Sequence, residues 1–248
     1  MVKEILYKYA ENNNGNIIHI NNAEIGLNYY CPDCKESFIL KKGKIRQQHF
    51  AHSNSTSNCT GEGYLHKTFK KMLLNLIKNN ILNKKPLEIF WKCNICKKEH
   101  NCNLINGIID VKDEYNLEVC RPDIALINKT GTVPIIIEIV DKHEPENNVL
   151  QYCQKTNTVL IRIKIDTLND LEDVNNKIKY PSNVVFFNQL FCPNVRNYLY
   201  QQQLNAQVFP NKYRTRQNGP TIDQIEADRA RKRHFAIQNN YRKKSKRK

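Results

Sequence analysis

The sequence predicts an α/β protein, on three observations. After residue 60 the apolar spacing switches between a three-to-four period and short apolar runs, giving the order helix, three strands, helix, strand. Arg121-Pro122-Asp123 leads into IALI and Glu138 lies inside PIIIEIV, so two apolar runs flank the turn Asn128-Lys129-Thr130-Gly131-Thr132, as in an antiparallel hairpin. Two Cys/His clusters, at 31–59 and 93–102, interrupt the hydrophobic pattern as inserted modules.

The elements follow in chain order. KEILYKYAENNNGNIIHINNAEIGLNYYC alternates apolar and polar residues around Asn-Gly and Asn-Asn turn signals, so short strands are expected up to Tyr30. From Gly63 to about Ile81, Phe69, Met72, Leu73, Leu76 and Ile77 recur at helical spacing, with Lys70, Lys71 and Lys78 placed off that face. LEIFW reads as a strand before the second Cys cluster. LINGIIDV, LEVCRPDIALI and VPIIIEIV supply three more, followed by a helix from near Pro145 through Tyr152 and the strand TVLIRIKI. Pro181, Pro193 and Pro210 punctuate a less regular region in which Val184 to Phe187 forms a further strand. The expected division is 1–60, β-rich with a Cys/His module; 61–165, the core, with the insertion at 93–102; 166–212, an extension; and 213–248, a basic, flexible tail.

Composition narrows the function classes. The 248 residues carry a formal net charge of +15, and residues 221–248 hold ten Lys or Arg against three acids, which is +7 of that total. One positive sign over body and tail favours a polyanionic partner, most simply nucleic acid; solubility alone is the plain alternative. No run approaches the roughly 18 apolar residues of a membrane span, and the N-terminal stretch lacks a signal-peptide core, so an intracellular setting (cytoplasm, nucleus or virion interior) is expected, with no membrane partner. Oligomeric state is not readable.

Nine cysteines without a secretory signal point to reduced thiols or metal ligation rather than disulfides. Cys31-Pro-Asp-Cys34 is a Cys-x2-Cys knuckle, with Cys59 and one or both of His49 and His52 to complete a tetrahedral zinc site. Cys93-Asn-Ile-Cys96 repeats the knuckle, followed by His100 and Cys102; a fourth ligand from a distance, Cys120 or Cys192, is the alternative to crowding all four into ten residues. Both sites would be structural. Buried thiols beside a packing histidine are the plain alternative.

Asp123 and Glu138 form the catalytic candidate. A strand pair joined by that turn sets them side by side at one end of a small sheet, where two carboxylates can hold Mg2+ or Mn2+ against a phosphodiester. A turn-capping Asp123 and an ion-paired Glu138 are the alternative, but a lone carboxylate amid PIIIEIV is costly without a partner.

At these residues the chain resembles the competence protein CoiA-like nucleases of the PD-(D/E)xK restriction-endonuclease-like superfamily. The resemblance rests on YYCPDC, KKGKIRQQHFAH, GEGYLHKTFK opening a helix, RPDIAL, and IIIEIVDKHEPE followed by helix and strand, over roughly residues 25–165. It implies a restriction-endonuclease-like core, a mixed central sheet flanked by helices, with Asp123 and Glu138 as metal-binding carboxylates and Glu62 or His66 near the catalytic edge. One departure stands out: the superfamily pattern has Lys two residues after the second acid, and this chain has Val140. Lys142, His143 or Lys67 are the residues that could stand in, with Lys142 on Glu138's side of the strand by alternation and His143 a candidate general base. Arg121 is a candidate phosphate contact.

The expected function is therefore a metal-dependent endonuclease, a hydrolase of DNA phosphodiester bonds, using Mg2+ or Mn2+ and carrying structural zinc. A catalytically inactive DNA-binding protein on the same scaffold, acting in repair, recombination or packaging, is the alternative that Val140 favours. A sequence-reading zinc-finger regulator fits less well, because neither cluster is followed by the linker and recognition-helix spacing of such fingers.

Overall fold

Asn12 breaks the N-terminal segment into a hairpin: its Oδ1 accepts N–H bonds from Asn14 and Asn16, and Gly15 takes the positive φ the turn demands. The computed structural model describes residues 7–45, 47–54, 59, 61–141, 144–188 and 192–208. The chain divides into two compact units, Met1–Arg196 and Asn197–Lys248. The basic tail expected at 213–248 lies outside the described residues, as do Lys142 and His143. No helix among the described residues is long and apolar enough to cross a membrane.

The first layer is an antiparallel five-stranded sheet in the order β2-β1-β3-β4-β5, from β1 (Tyr9–Asn12), β2 (Ile17–His19), β3 (Tyr29–Tyr30), β4 (Ser37–Lys41) and β5 (His49–His52). Tyr7, Tyr29, Phe38 and Phe50 bury their rings against one another and against Tyr64 of the following helix. Tyr64 ties the layer down by its polar end too: its hydroxyl donates to Tyr9 O at 2.8 Å and accepts from Tyr9 N–H at 3.1 Å.

Helix α1 (Gly61–Leu82) carries Phe69, Leu73 and Ile77, each fully buried, as the helical spacing requires. Burying each such side chain is worth about 1.5–3 kcal/mol. Lys70 departs from the expected solvated face. It is buried in the core unit with only 6% of its surface exposed, because acids on neighbouring elements receive it.

A hairpin of β6 (Glu88–Lys92) and β7 (Glu99–Asn103) holds the second knuckle at its turn. The second sheet has the order β12-β11-β10-β9-β8, from β8 (Ile108–Asp113), β9 (Ile124–Asn128), β10 (Ile135–Val140), β11 (Val159–Lys164) and β12 (Asn183–Val185). In this sheet only β10 and β11 run parallel, and α2 (Asn147–Thr156) makes the crossover between them. It is thus a mixed sheet. Ile124, Leu126, Ile137, Ile139 and Ile161 face the core that includes α1, while Ala125, Ile127, Ile136 and Leu160 pack with Val149 and Cys153 of α2. Two covered faces explain why these strands read as continuous apolar runs rather than alternating ones.

Helix α2 starts two residues after Pro145, with Glu146 as its extended N-cap, and ends at Asn157 in the left-handed conformation. The region after β11 is more regular than its prolines suggest: a 3-10 turn (Leu168–Asp173), helix α3 (Val174–Lys179), β12, and helix α4 (Pro193–Val208). Pro193 opens α4 rather than breaking it, because the first helical position needs no N–H.

Candidate functional site

Two groups of thiols and imidazoles converge among the described residues. Cys31, Cys34, His52 and Cys59 form one, Cys93, Cys96, His100 and Cys192 the other, and within each the ligand atoms all lie within 4.8 Å of one another. The two knuckles have the same backbone. Lys35 N–H bonds to Cys31 O at 3.1 Å and Cys31 N–H to Glu36 O at 2.9 Å; Lys97 N–H bonds to Cys93 O at 3.0 Å and Cys93 N–H to Lys98 O at 2.8 Å. Lys35 and Lys97 both take a left-handed φ, 64° and 62°, which bends the chain so that the paired sulfurs face one point. Thiol and imidazole contacts of 3.3 Å (Cys34 to His52 Nε2) and 3.1 Å (Cys96 to His100 Nε2), with 3.5 Å between Cys31 and Cys59, are close to the roughly 3.8 Å ligand edge of a tetrahedron with 2.3 Å metal–sulfur bonds. Three sulfurs and one imidazole nitrogen suit zinc, so both clusters could hold a zinc ion.

Each cluster selects among the ligands the sequence leaves open, one histidine of two in the first and the distant Cys192 in place of Cys102 in the second. His49 stands outside the first: in the β4–β5 pairing His52 lies opposite Phe38, near the knuckle, and His49 opposite Lys41 at the other end, with its Nδ1 2.9 Å from Gln47 O. Cys102 stands outside the second: it lies two residues beyond His100 on β7, about 7 Å further from the knuckle. Cys192, at the start of α4, occupies its place, and Asn194 Nδ2 reaches Cys96 Sγ at 3.6 Å. Cys120 lies in the other core, beside α2.

The first cluster adjoins the N-terminus of α1. Asp33, inside the knuckle, has Oδ2 3.4 Å from Cys59 Sγ and Oδ1 2.9 Å from Lys67 Nζ. Its carboxylate lies over Gly63 so closely that a Cβ there would meet Oδ2 at 2.5 Å. Lys67 is therefore engaged with the knuckle and not with the acidic pair.

That pair lies at the end of the second sheet. Ile124 pairs with Ile137, which sets Asp123 and Glu138 beside each other at the next position. Asp123 N–H donates to Glu138 Oε1 at 3.4 Å, and Ile139 N–H donates to Asp123 Oδ2 at 3.0 Å. From α1, His66 Nε2 lies 3.2 Å from Asp123 Oδ2 and Lys70 Nζ 3.1 Å from Asp123 Oδ1; Lys70 also reaches Glu114 Oε1 at 2.6 Å. Arg121 Nη1 lies 3.9 Å from Glu114 Oε2, and the side chain is largely exposed. Glu62 lies in the first turn of α1, and its side chain is outside the described residues.

The surroundings favour the ionised form of Asp123 and the neutral form of Glu138. Burial disfavours ionised Asp123, but the hydrogen bond and charge of His66, the Lys70 ammonium and the Ile139 N–H outweigh it and leave its carboxyl below the usual range. Glu138 is pushed up to about 8 by burial and by the negative Asp123 beside it, with Lys70 and His66 offsetting only part. His66 loses stability as an imidazolium through burial, yet Asp123 more than compensates and raises it above the ordinary histidine value.

Val140 is packed at 9% exposure two residues beyond Glu138, where no cation can be. Positive charge arrives by another route, Lys70 from the helix; Arg162 is the register neighbour of Glu138 on β11, and its guanidinium goes to Glu144 at 2.9 Å. Lys70, Glu114 and Arg162 were not singled out from sequence. His66 and Lys70 are four apart, which puts them on one helical face and is the signal that could have found Lys70. Glu114 and Arg162 carry no such local mark.

No curated protein and no solved structure matches the chain significantly. Residues 10–62, which run from β1 into the start of α1 and contain all four members of the first Cys/His cluster, match the family model described as "Competence protein CoiA, N-terminal domain", and that part of the chain is similar to this family.

Proposed function

We propose that this protein is a metal-dependent nuclease with a restriction-endonuclease-like core that hydrolyses DNA phosphodiester bonds at the Asp123/Glu138 pair. One observation carries the reading: adjacent strands bring two carboxylates together with a buried lysine and a histidine, and one of the two acids is left short of positive charge. A carboxylate at about 8 beside an ionised one is the donor chemistry that a divalent cation satisfies. The order α1, β8, β9, β10, α2, β11 supports the fold assignment. The basic composition, +15 over the chain, supports a nucleic-acid substrate.

Asp123 and Glu138 would hold Mg2+ or Mn2+, and the chemistry such an ion would supply there is Lewis-acid activation of a phosphate and of a water. Lys70 and His66 keep Asp123 ionised and aimed, so it presents a fixed oxygen. Lys70 supplies from the helix the cation that Val140 cannot. The zinc modules are structural: the first braces the N-terminus of α1, which carries His66 and Lys70.

The test is cleavage of single-stranded, duplex and branched DNA with Mg2+ or Mn2+. Asp123→Asn and Glu138→Gln are each expected to slow cleavage on the order of 100-fold or more while leaving binding intact. Undiminished cleavage in both variants refutes the assignment. Val140 favours a second reading, a DNA-binding protein on an inactive nuclease scaffold, and binding by the unaltered chain without cleavage under either metal would select it.

A further inference from the structure

A groove of about 640 Å³ opens where the β6–β7 hairpin meets the segment from α3 to β12. Phe90 and Tyr180 line it, both partly exposed, with ring centroids 5.6 Å apart and planes tilted by 32°. Lys179 Nζ sits 5.6 Å from the Phe90 ring and 5.4 Å from the Tyr180 ring, and it makes no ion pair with any described residue. Lys92 lines the same groove, facing Glu99 across the hairpin.

A register row of the second sheet links the groove to the acidic site. Glu138 pairs with Arg162, and Arg162 pairs with Asn183, a groove residue, so one row of side chains runs across three strands from the candidate metal pair to the groove. At the usual strand spacing, Asn183 is about 10 Å from Glu138 in the plane of the sheet. Large aromatic rings partly open to solvent, with a lysine over them, match the chemistry of a base face joined to a phosphate, while Glu99, the acid in the groove, lies opposite Lys92.

We infer that the Phe90/Tyr180/Lys179 groove is a stacking subsite for an unpaired nucleic-acid strand leading to the Asp123/Glu138 site. The strand is unpaired because a base can offer its face to a protein ring only after leaving the duplex stack, and the groove holds one or two nucleotides, not a helix. Phe90 and Tyr180 contact the bases; Lys179 contacts the phosphate between them. The subsite rests on the nucleic-acid reading above and adds to it a preference for single-stranded or frayed segments.

The experiment uses the full chain carrying Asp123→Asn, so that no strand is cut, and fluorescence anisotropy with a labelled oligo-dT and with a duplex of the same length. Adding Phe90→Ala or Tyr180→Ala is expected to weaken oligo-dT binding about 10-fold each. Duplex binding should change little, and Tyr180→Phe should bind like the parent. Lys179→Gln should weaken binding and lower the salt slope by about one. Circular dichroism and zinc content confirm that each variant is folded. If the alanine variants bind oligo-dT as the parent does, or lose both probes equally, the subsite is overturned. A parent that binds neither probe instead overturns the nucleic-acid reading itself.

Discussion

Replacing Glu138 by Gln should stabilise this protein, and only above a particular pH. The substitution keeps the side chain's shape and an oxygen for the Asp123 N–H, and removes a carboxyl whose ionisation burial and Asp123 both oppose. Below pH 4.5 the group is protonated in the folded and the unfolded chain, and the substitution changes little. Between 4.5 and about 8 the unfolded chain has released a proton that the folded protein still holds, so wild-type stability falls as pH rises through that window and levels off beyond it. The full shift corresponds to about 5 kcal/mol as a ceiling; water entry and relaxation around the carboxylate reduce the expected gain to about 3 kcal/mol, or roughly 6–12 °C in a chain of this length. Thermal unfolding of both proteins at pH 5 and pH 8.5, without added divalent metal, reads the effect directly. Mg2+ added at pH 8.5 should raise the wild-type midpoint and leave that of the variant unmoved, because the ion supplies the charge that Glu138 lacks. A variant destabilised at pH 8.5, or offset equally at both pH values, would refute the electrostatic argument.

The metal centres give a prediction that discriminates between neighbouring cysteines. Cys192→Ser should lower zinc content measured by native mass spectrometry from two ions per chain to one, whereas Cys102→Ser should retain both; the reverse pattern would reject the long-range ligand. Gly63→Ala should cost about 1–3 kcal/mol in urea unfolding despite alanine's better helix propensity, because the new methyl meets the Asp33 carboxylate, held by Lys67. In an Asp33→Ala background the same alanine should cost nothing further, and additive effects would show that the clash is not the cause.

What the chain discloses depends on how far apart the partners lie. Both Cys-x2-Cys knuckles are local loops, so their spacing is enough to find them, but His52 is separated from His49 only by strand pairing, and Cys192 joins its knuckle across 96 residues. The same split divides the acidic site. Asp123 and Glu138 are readable together because a short turn forces their strands to pair, and His66 was within reach through the motif that opens α1. Periodicity places Lys70 off the apolar face but cannot say what meets the margin of that face; Glu114, just after β8, makes burial of that ammonium possible. Lys67, one turn nearer the N-terminus, points instead to Asp33.

By itself the sequence determined the α/β order of elements, the two knuckles and the neighbouring pair of acids, since hydrophobic period, tight turns and short loops act over a few residues. Tertiary structure alone decided which histidine and which distant thiol complete each cluster, and which lysine enters the acidic site. Those choices are settled by strand pairing in the first sheet for His52, and by contacts between segments far apart in the chain for Cys192 and Lys70.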